Sequence, residues 1–299
     1  MVGREVMSKR WSVGARSETG YVRNENQDRM SYVQAPLGDI YIVSDGMGGH
    51  RGGAIAAELT VETLNQSLSR LDAISIDPNA IRAAFEKANA VVYERGHAGN
   101  ADTEGMGATA VMLLVTQCQV MVAHVGDSRA YLFTRENKLE RLTKDHSRVQ
   151  RMIDAGILTP AEAAVHPEAS VLERAIGTSP TVKVDISSWI PLREGDQILL
   201  CSDGLHGYVS DAEIAAILGN QGAPQELAGQ LVNLALEKGG EDNITIQLIE
   251  CEGRDKGGIS RIMGRLGIIV PGIVILSAAT ACVTTEYRPA ALKERRDIP

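Results

Sequence analysis

The chain has 299 residues, 44% hydrophobic and 23% charged, ordinary proportions for a globular protein that can bury a sizeable core. Its net charge of −8 excludes the basic footprint that phosphate backbones demand, so no nucleic-acid partner is expected. Four scattered cysteines, Cys118, Cys201, Cys251 and Cys282, lack metal-ligand spacing and suggest no disulfide framework, which favours a reducing compartment.

In chain order, residues 1–9 read as a tail with no apolar run long enough for a signal peptide. Residues 11–16, 30–34 and 39–44 read as strands. From Ala54 to Leu71, Val61, Leu64, Leu68 and Leu71 recur at helical steps. Ile81, Phe85, Ala88 and Val92 repeat that spacing in a second helix. Runs at 107–115, 119–125 and 129–133 are rich in β-formers and closely spaced, which suggests an antiparallel meander.

The stretch 143–180 has little strand character and carries short helical pieces at 148–155 and 160–165. A long irregular insertion of this kind reads as a lid or binding loop. Strands are expected again at 181–189, 196–202 and 243–250, with a helix at 224–238 showing Leu227, Leu231 and Leu234 on one face. Strands apolar on both faces need cover on both faces. Two antiparallel sheets packed together with helices outside meet that need.

Residues 253–265 read as a polar, Gly-containing linker. Residues 266–283 then carry no charge over 18 positions. At about 1.5 Å per residue, a helix of that length roughly matches the hydrocarbon core of a bilayer. Arg261 and Arg265 precede it, and Arg288, Lys293, Arg295 and Arg296 lie in the basic tail 284–299. A single C-terminal membrane anchor on a cytoplasmic body is expected; a terminal core helix or a partner-docking segment is the alternative.

Five aspartates stand beside strand termini. Asp45 closes an apolar run (Ile40–Val43) and opens the glycine-rich Gly46-Met47-Gly48-Gly49. Asp203 follows a second apolar run, and Asp127 ends a third. Asp28 and Asp242 each precede a strand. Any one of them is an ordinary turn residue. Converging carboxylates repel, so a cluster of five would persist only with cations. Oxygen ligands without His or Cys suit Mg²⁺ or Mn²⁺.

Arg23-x4-Asp28, Asp45-Gly-Met-Gly-Gly, Gly107-Ala-Thr, Gly126-Asp-Ser-Arg129, Ser202-Asp-Gly-Leu205 and Asp242-Asn243 occur in this order. The set resembles the metal-dependent PP2C-type (PPM) serine/threonine phosphatases over about residues 10–250, and 142–147 and 175–180 look like the bacterial branch. The resemblance implies an α+β fold, a four-layer α-β-β-α sandwich of two antiparallel sheets flanked by helix pairs, as a domain over 10–252. It implies two metals, Mn²⁺ or Mg²⁺, at one end. Asp45 would bridge both ions and the Gly46 carbonyl would bind one; Asp203 and Asp242 would hold the other. Asp127 with Asp203 would hold a third, weaker ion. Asp28 would orient metal-bound water, Arg23 would grip the phosphate, and 143–180 would be a flap beside the site.

Hydrolysis of phosphoserine and phosphothreonine esters by a metal-activated water is then expected, with phosphorylated proteins as substrates and a Ser/Thr kinase as a partner by family habit. A catalytically silent scaffold on the same fold would need a lost ligand. A hydrolase of small phosphate esters is a third reading, because the site alone does not choose a protein substrate. Two departures stand out. Gln27 occupies a position where many members have Glu, and Met47 follows Asp-Gly where some eukaryotic relatives have His. His50 reads as a loop residue, His124 as a satisfied core histidine and His146 as a structural hydrogen-bonder.

Overall fold

The computed structural model describes residues 11–48, 51–71, 77–116 and 119–252. The expected tail, linker, apolar segment 266–283 and basic tail 284–299, with His50, Cys118 and Cys282, lie outside the described residues. Among the described residues, no helix is long and apolar enough to cross a membrane.

The chain begins with strands β1 (Trp11–Glu18), β2 (Arg29–Ala35), β3 (Gly38–Ser44) and the short β4 (Gly46–Met47). Helices α1 (Gly52–Leu68) and α2 (Pro78–Gly96) follow. Then come β5 (Gly107–Ala108), β6 (Ala110–Val115), β7 (Gln119–Val125), β8 (Arg129–Phe133) and β9 (Leu139–Arg141). The insertion carries α3 (Arg148–Asp154) and α4 (Pro160–Ala164). The last part holds β10 (Asp185–Ile186), β11 (Ile190–Pro191), β12 (Gln197–Cys201), α5 (Asp203–His206), α6 (Asp211–Leu218), α7 (Pro224–Glu237) and β13 (Ile244–Cys251).

Two antiparallel sheets form, in the orders β1-β13-β12-β8-β9 and β10-β7-β6-β3-β2. The alternation of each strand assigns its side chains to layers. On β3, Tyr41 and Val43 meet Ile198, Leu200 and Ile249 between the sheets. Ile40 and Ile42 point the other way, into a core with Leu64 of α1 and Phe85 of α2. On β12, Leu199 and Cys201 pack with Leu227 and Leu231 of α7. The result is helices, sheet, sheet, helices. At about 25 cal/mol per Å² of apolar surface, three such layers of burial are the main stabilising term.

Several elements differ from the sequence reading. Helix α1 starts at Gly52 rather than Ala54; Gly52 and Gly53 lie buried in its first turn, and a Cβ on Gly53 would come within 2.6 Å of the Gly46 carbonyl oxygen. It stops at Leu68, and Leu71 lies beyond it, tied back by its N–H to the Leu68 carbonyl. The expected strand 181–189 is two short pieces against β7, Asp185↔His124 and Ile190↔Val120. Between them Ser187 supplies its own hydrogen bonds: its hydroxyl accepts from the Val122 N–H at 3.0 Å and its N–H donates to the Val122 carbonyl at 2.8 Å. In 107–115 the first two residues leave the sheet and pair with β4 instead. Strand β9 and helices α5 and α6 were not expected; α6 opens with a Ser210–Glu213 capping box that announces it.

Register decides which strand ends meet. Arg29 pairs Ser44, so the start of β2 lies beside the end of β3. Ala110 pairs Val125, so the start of β6 lies beside the end of β7. In the other sheet Cys201 pairs Ile246, which sets the end of β12 beside the start of β13. Asp28, Asp45, Asp127, Asp203 and Asp242 follow or precede these ends and share one rim of the sandwich.

Candidate active site

The rim holds a cleft of about 680 Å³. Arg23, Asp45, Gly46, Asp127, Asp203 and Asp242 all line it. Asp28 lies deeper, 3% exposed, with its Oδ2 accepting from the Ser202 hydroxyl at 2.7 Å. Its partner comes from the opposite sheet, so this bond ties the two sheets together under the cleft.

Asp45 and Asp127 are fixed through their backbones. The Asp45 N–H donates to Thr109 Oγ1 at 3.0 Å, and its carbonyl accepts from the Thr109 N–H at 2.8 Å. Thr109 Oγ1 in turn shares a 2.6 Å hydrogen bond with Ser128. The Asp127 carbonyl accepts from His206 Nε2 at 2.9 Å. Asn243 accepts from the Gln27 N–H at 2.7 Å and donates to the carbonyls of Thr19 and Glu25. The sequence reading gave Thr109, Ser202 and Asn243 no role, although each lies in a quoted motif. It missed His206 altogether.

Burial, then mutual repulsion, raises the carboxyls. Asp45 is pushed well above the usual range by burial and by Asp203, Asp28 and Asp127. Asp127 is raised by burial and Asp203, and Asp203 by burial and Asp242. Asp28 is pushed up to about 7, chiefly by burial, against the opposing Ser202 hydrogen bond. Arg23 is held on the charged side by its 2.8 Å contact with Asp242.

These residues fit divalent cations. Asp28 Oδ1 and Asp203 Oδ1 are buried and have no hydrogen-bond partner among the described residues. A buried carboxylate oxygen left so is costly unless a cation or proton meets it. The donors are all oxygen, as hard ions prefer. A Cβ on Gly46 would lie 2.0 Å from the Gly53 carbonyl oxygen and 2.8 Å from that of Gln27, so only glycine lets the loop pass beside Asp45. Gln27 lines the same cleft and brings no charge to it.

A second group, His124, His146 and Asp185, has ligand atoms within 4.8 Å of one another. It suits an ion poorly. The two rings stack at 4.4 Å and 22°, so their in-plane lone pairs run side by side rather than converge. Arg174 already pairs with Asp185 at 2.9 Å. His146 accepts from the Gly126 N–H at 3.1 Å, the structural role expected of it. His124 is buried as expected but is not satisfied: its Nδ1 has no hydrogen-bond partner among the described residues.

The flap expected at 143–180 borders the cleft through Ser170, Leu172, Glu173, Ala175 and Thr178. Its root is anchored where Asp145 takes a bidentate grip from Arg129 (2.6 and 3.0 Å).

Comparison with known proteins agrees with this geometry. Residues 21–232 match the family model described as protein phosphatase 2C. The serine/threonine phosphatase stp of Listeria monocytogenes is 35% identical over 248 residues, 81% of this chain and 96% of that one. The solved serine/threonine phosphatase of S. agalactiae is 34% identical, with a TM-score of 0.77 over 81% of this chain and all (100%) of that one. The catalytic domain of the phosphatase PstP, solved in complex with 2 manganese ions, is 31% identical with a TM-score of 0.69, over 81% of this chain and 99% of that one. The chain belongs to the protein phosphatase 2C family.

Proposed function

We propose that the chain hydrolyses phosphoserine and phosphothreonine esters by direct attack of water, with divalent cations held by Asp45, Asp203, Asp242 and the Gly46 carbonyl. The coarser conclusion rests on family membership: this is a metal-dependent protein serine/threonine phosphatase. The observation that carries the finer one is the convergence of carboxylates from both sheets on one cleft. Bound there, the cations supply Lewis-acid polarisation of phosphoryl oxygens and acidify a water enough to attack near neutral pH.

The chain's own residues do the rest. Arg23, with its side chain 54% exposed at the cleft, offers a planar fork to the phosphate oxygens. Asp28 keeps one oxygen on Ser202, and the other, Oδ1, has no hydrogen-bond partner among the described residues, which suits it to orient a water or hold its proton. Asp127 with Asp203 is a seat for a third ion. The manganese-loaded relative favours Mn²⁺, and Mg²⁺ shares the same donor preference. A silent scaffold is disfavoured because none of the acids is missing. The membrane anchor expected of 266–283 and a kinase partner stay within this reading, supported by sequence pattern and family habit alone.

The test is phosphate release from a phosphothreonine peptide by the wild type and Asp203→Asn, with Mn²⁺ and with a chelator. Metal-dependent release, and its loss in the variant by about a hundredfold or more, is expected. Equal activity in the chelator would overturn the reading.

A further inference from the structure

Beside Arg23 the cleft has a shoulder that phosphate chemistry does not use. Tyr21 and Val22 are 72% and 65% exposed, among the most open large apolar side chains described. Exposed aromatic rings next to a substrate cleft are informative where scattered ones are not. Tyr21 is not loose. Its N–H donates to the Gly240 carbonyl at 2.7 Å. Its ring lies on Gly240, where an added Cβ would come within 2.9 Å of Tyr21 Cδ2. Gly239 serves Tyr208 in the same way, with a Cβ position 3.1 Å from Tyr208 Cε1. The glycine pair therefore seats two tyrosines immediately before Glu241 and Asp242.

The charge around the shoulder is one-sided. Six carboxylates line the cleft against one guanidinium, Arg23. Asp45, Asp127, Asp203 and Asp242 are assigned to cations, and Glu173 is paired with Arg151 at 3.0 Å. Glu25 remains, exposed on the cleft wall two residues from Arg23. Glu241 is exposed beside the glycine pair, and after burial its charge, with those of Asp242 and Asp203, raises the Tyr208 hydroxyl. Neither glutamate has an ion pair among the described residues.

We propose that Tyr21, Val22 and Tyr208, edged by Glu25 and Glu241, form a subsite for a Lys or Arg side chain of the substrate protein near its phosphorylated residue. The inference rests on the phosphatase reading above and names its substrate class. An open tyrosine face attracts a cation, and the aliphatic stem of Lys or Arg lies along Val22. The two carboxylates receive the charged head. A phosphate gripped by Arg23 fixes the peptide, so its neighbouring residues must pass over this shoulder. Acidic neighbours would meet uncompensated carboxylates and be disfavoured.

The experiment uses the full chain with Mn²⁺. Phosphothreonine peptides carrying Arg, Ala or Glu at successive positions on either side of the phosphoresidue are compared with p-nitrophenyl phosphate, which has no flanking chain. The readout is the ratio of kcat/KM on peptide to kcat/KM on the small ester. In the wild type the Arg series should exceed the Glu series, and the gap should shrink as salt is raised. Tyr21→Ala should lower the Arg-series ratio about three- to fivefold, the size of an exposed cation–π contact. Tyr21→Phe should keep it, which rules out misfolding as the cause. Glu25→Gln and Glu241→Gln should each reduce the Arg-over-Glu gap. Ratios that ignore flanking charge, or that Tyr21→Ala leaves unchanged, overturn the subsite while the phosphatase stands. No metal-dependent hydrolysis of either substrate overturns the phosphatase reading and the subsite with it.

Discussion

The guanidinium of Arg23 lies 2.8 Å from the carboxylate of Asp242, so the proposed phosphate-binding group and a proposed metal ligand share one charge pair. The pair is half open to water, which limits its worth to stability. Its consequence is functional: the two residues must act against each other. Arg23→Ala should weaken phosphopeptide hydrolysis about ten- to a hundredfold, the loss of a charge-assisted hydrogen bond. The same change should leave Mn²⁺ affinity equal or higher, because a positive charge beside Asp242 is gone. Lys should not restore the rate, lacking the planar fork. Calorimetric Mn²⁺ titration beside steady-state kinetics checks both halves. A variant that loses metal and activity together would place Arg23 in a structural role.

Gly46 is one of the two tightest points of the site, with Gly204. A Cβ there would lie 2.0 Å from backbone of Gly53, not from a side chain that could swing aside. Gly46→Ala must therefore push the 46–48 loop away from α1. A destabilisation of about 1–3 kcal/mol is expected from the overpacking. Metal-dependent activity should fall much further, since the displaced loop carries Asp45 and the Gly46 carbonyl. Urea melts with and without Mn²⁺ separate the effects: the metal-induced stabilisation should shrink more than the intrinsic stability.

How much of this was legible in the sequence depends on range. Ile40 to Val43 could be read as a doubly buried strand, but not that Ile40 and Ile42 face helices while Tyr41 and Val43 face the other sheet. That division is set by packing between sheets. The rim was foreseen because Asp45, Asp127 and Asp203 each end an apolar run, a local signal. The burial of Asp28 under Ser202 was not, since 174 positions separate the partners and only register brings them together. Strand β9, Leu139–Arg141, is three residues long and polar, too short to show a period. Helix α6 was missed for a different reason. Its capping box stands at Ser210 and Glu213, but its eight residues span barely two turns, too few for an apolar stripe to show a clear period.

Crowded acids make stability depend on pH in an unusual direction. Asp28 sits at about 7 in the fold against an ordinary 3.8, and Asp45, Asp127 and Asp203 are raised as well. A carboxyl held above its unfolded value favours the fold while protonated. That contribution is present below about 4 and lost as pH rises through about 7. In a chelator the melting temperature should therefore fall from pH about 6.5 to about 8, a window where the neutral buried histidines no longer change. Mn²⁺ should reverse the trend, with a larger stabilisation at the upper end because cations replace protons. Thermal melts across this range check it. A chelated protein that grows steadily more stable with pH would deny that the acids converge without compensation.

His124 supplies a prediction of the opposite sign. Burial, with His146 stacked on it, pushes its imidazole down to about 4 from 6.5. Its Nδ1 has no hydrogen-bond partner among the described residues, so little is lost by replacing that nitrogen. A base held below its unfolded value stabilises the fold above about 6.5, and that contribution is lost as pH falls toward 4. His124→Phe keeps a ring on His146 and removes the titration. The variant should thus gain on the wild type as pH drops from 6.5 toward 4, by on the order of 3 kcal/mol at the limit. Above 6.5 the two should differ only by packing, about 1 kcal/mol either way. Denaturant melts at several pH values give the difference directly. A gap that stays constant with pH would mean His124 titrates normally in the folded chain, and that its surroundings are wetter than the strand packing implies.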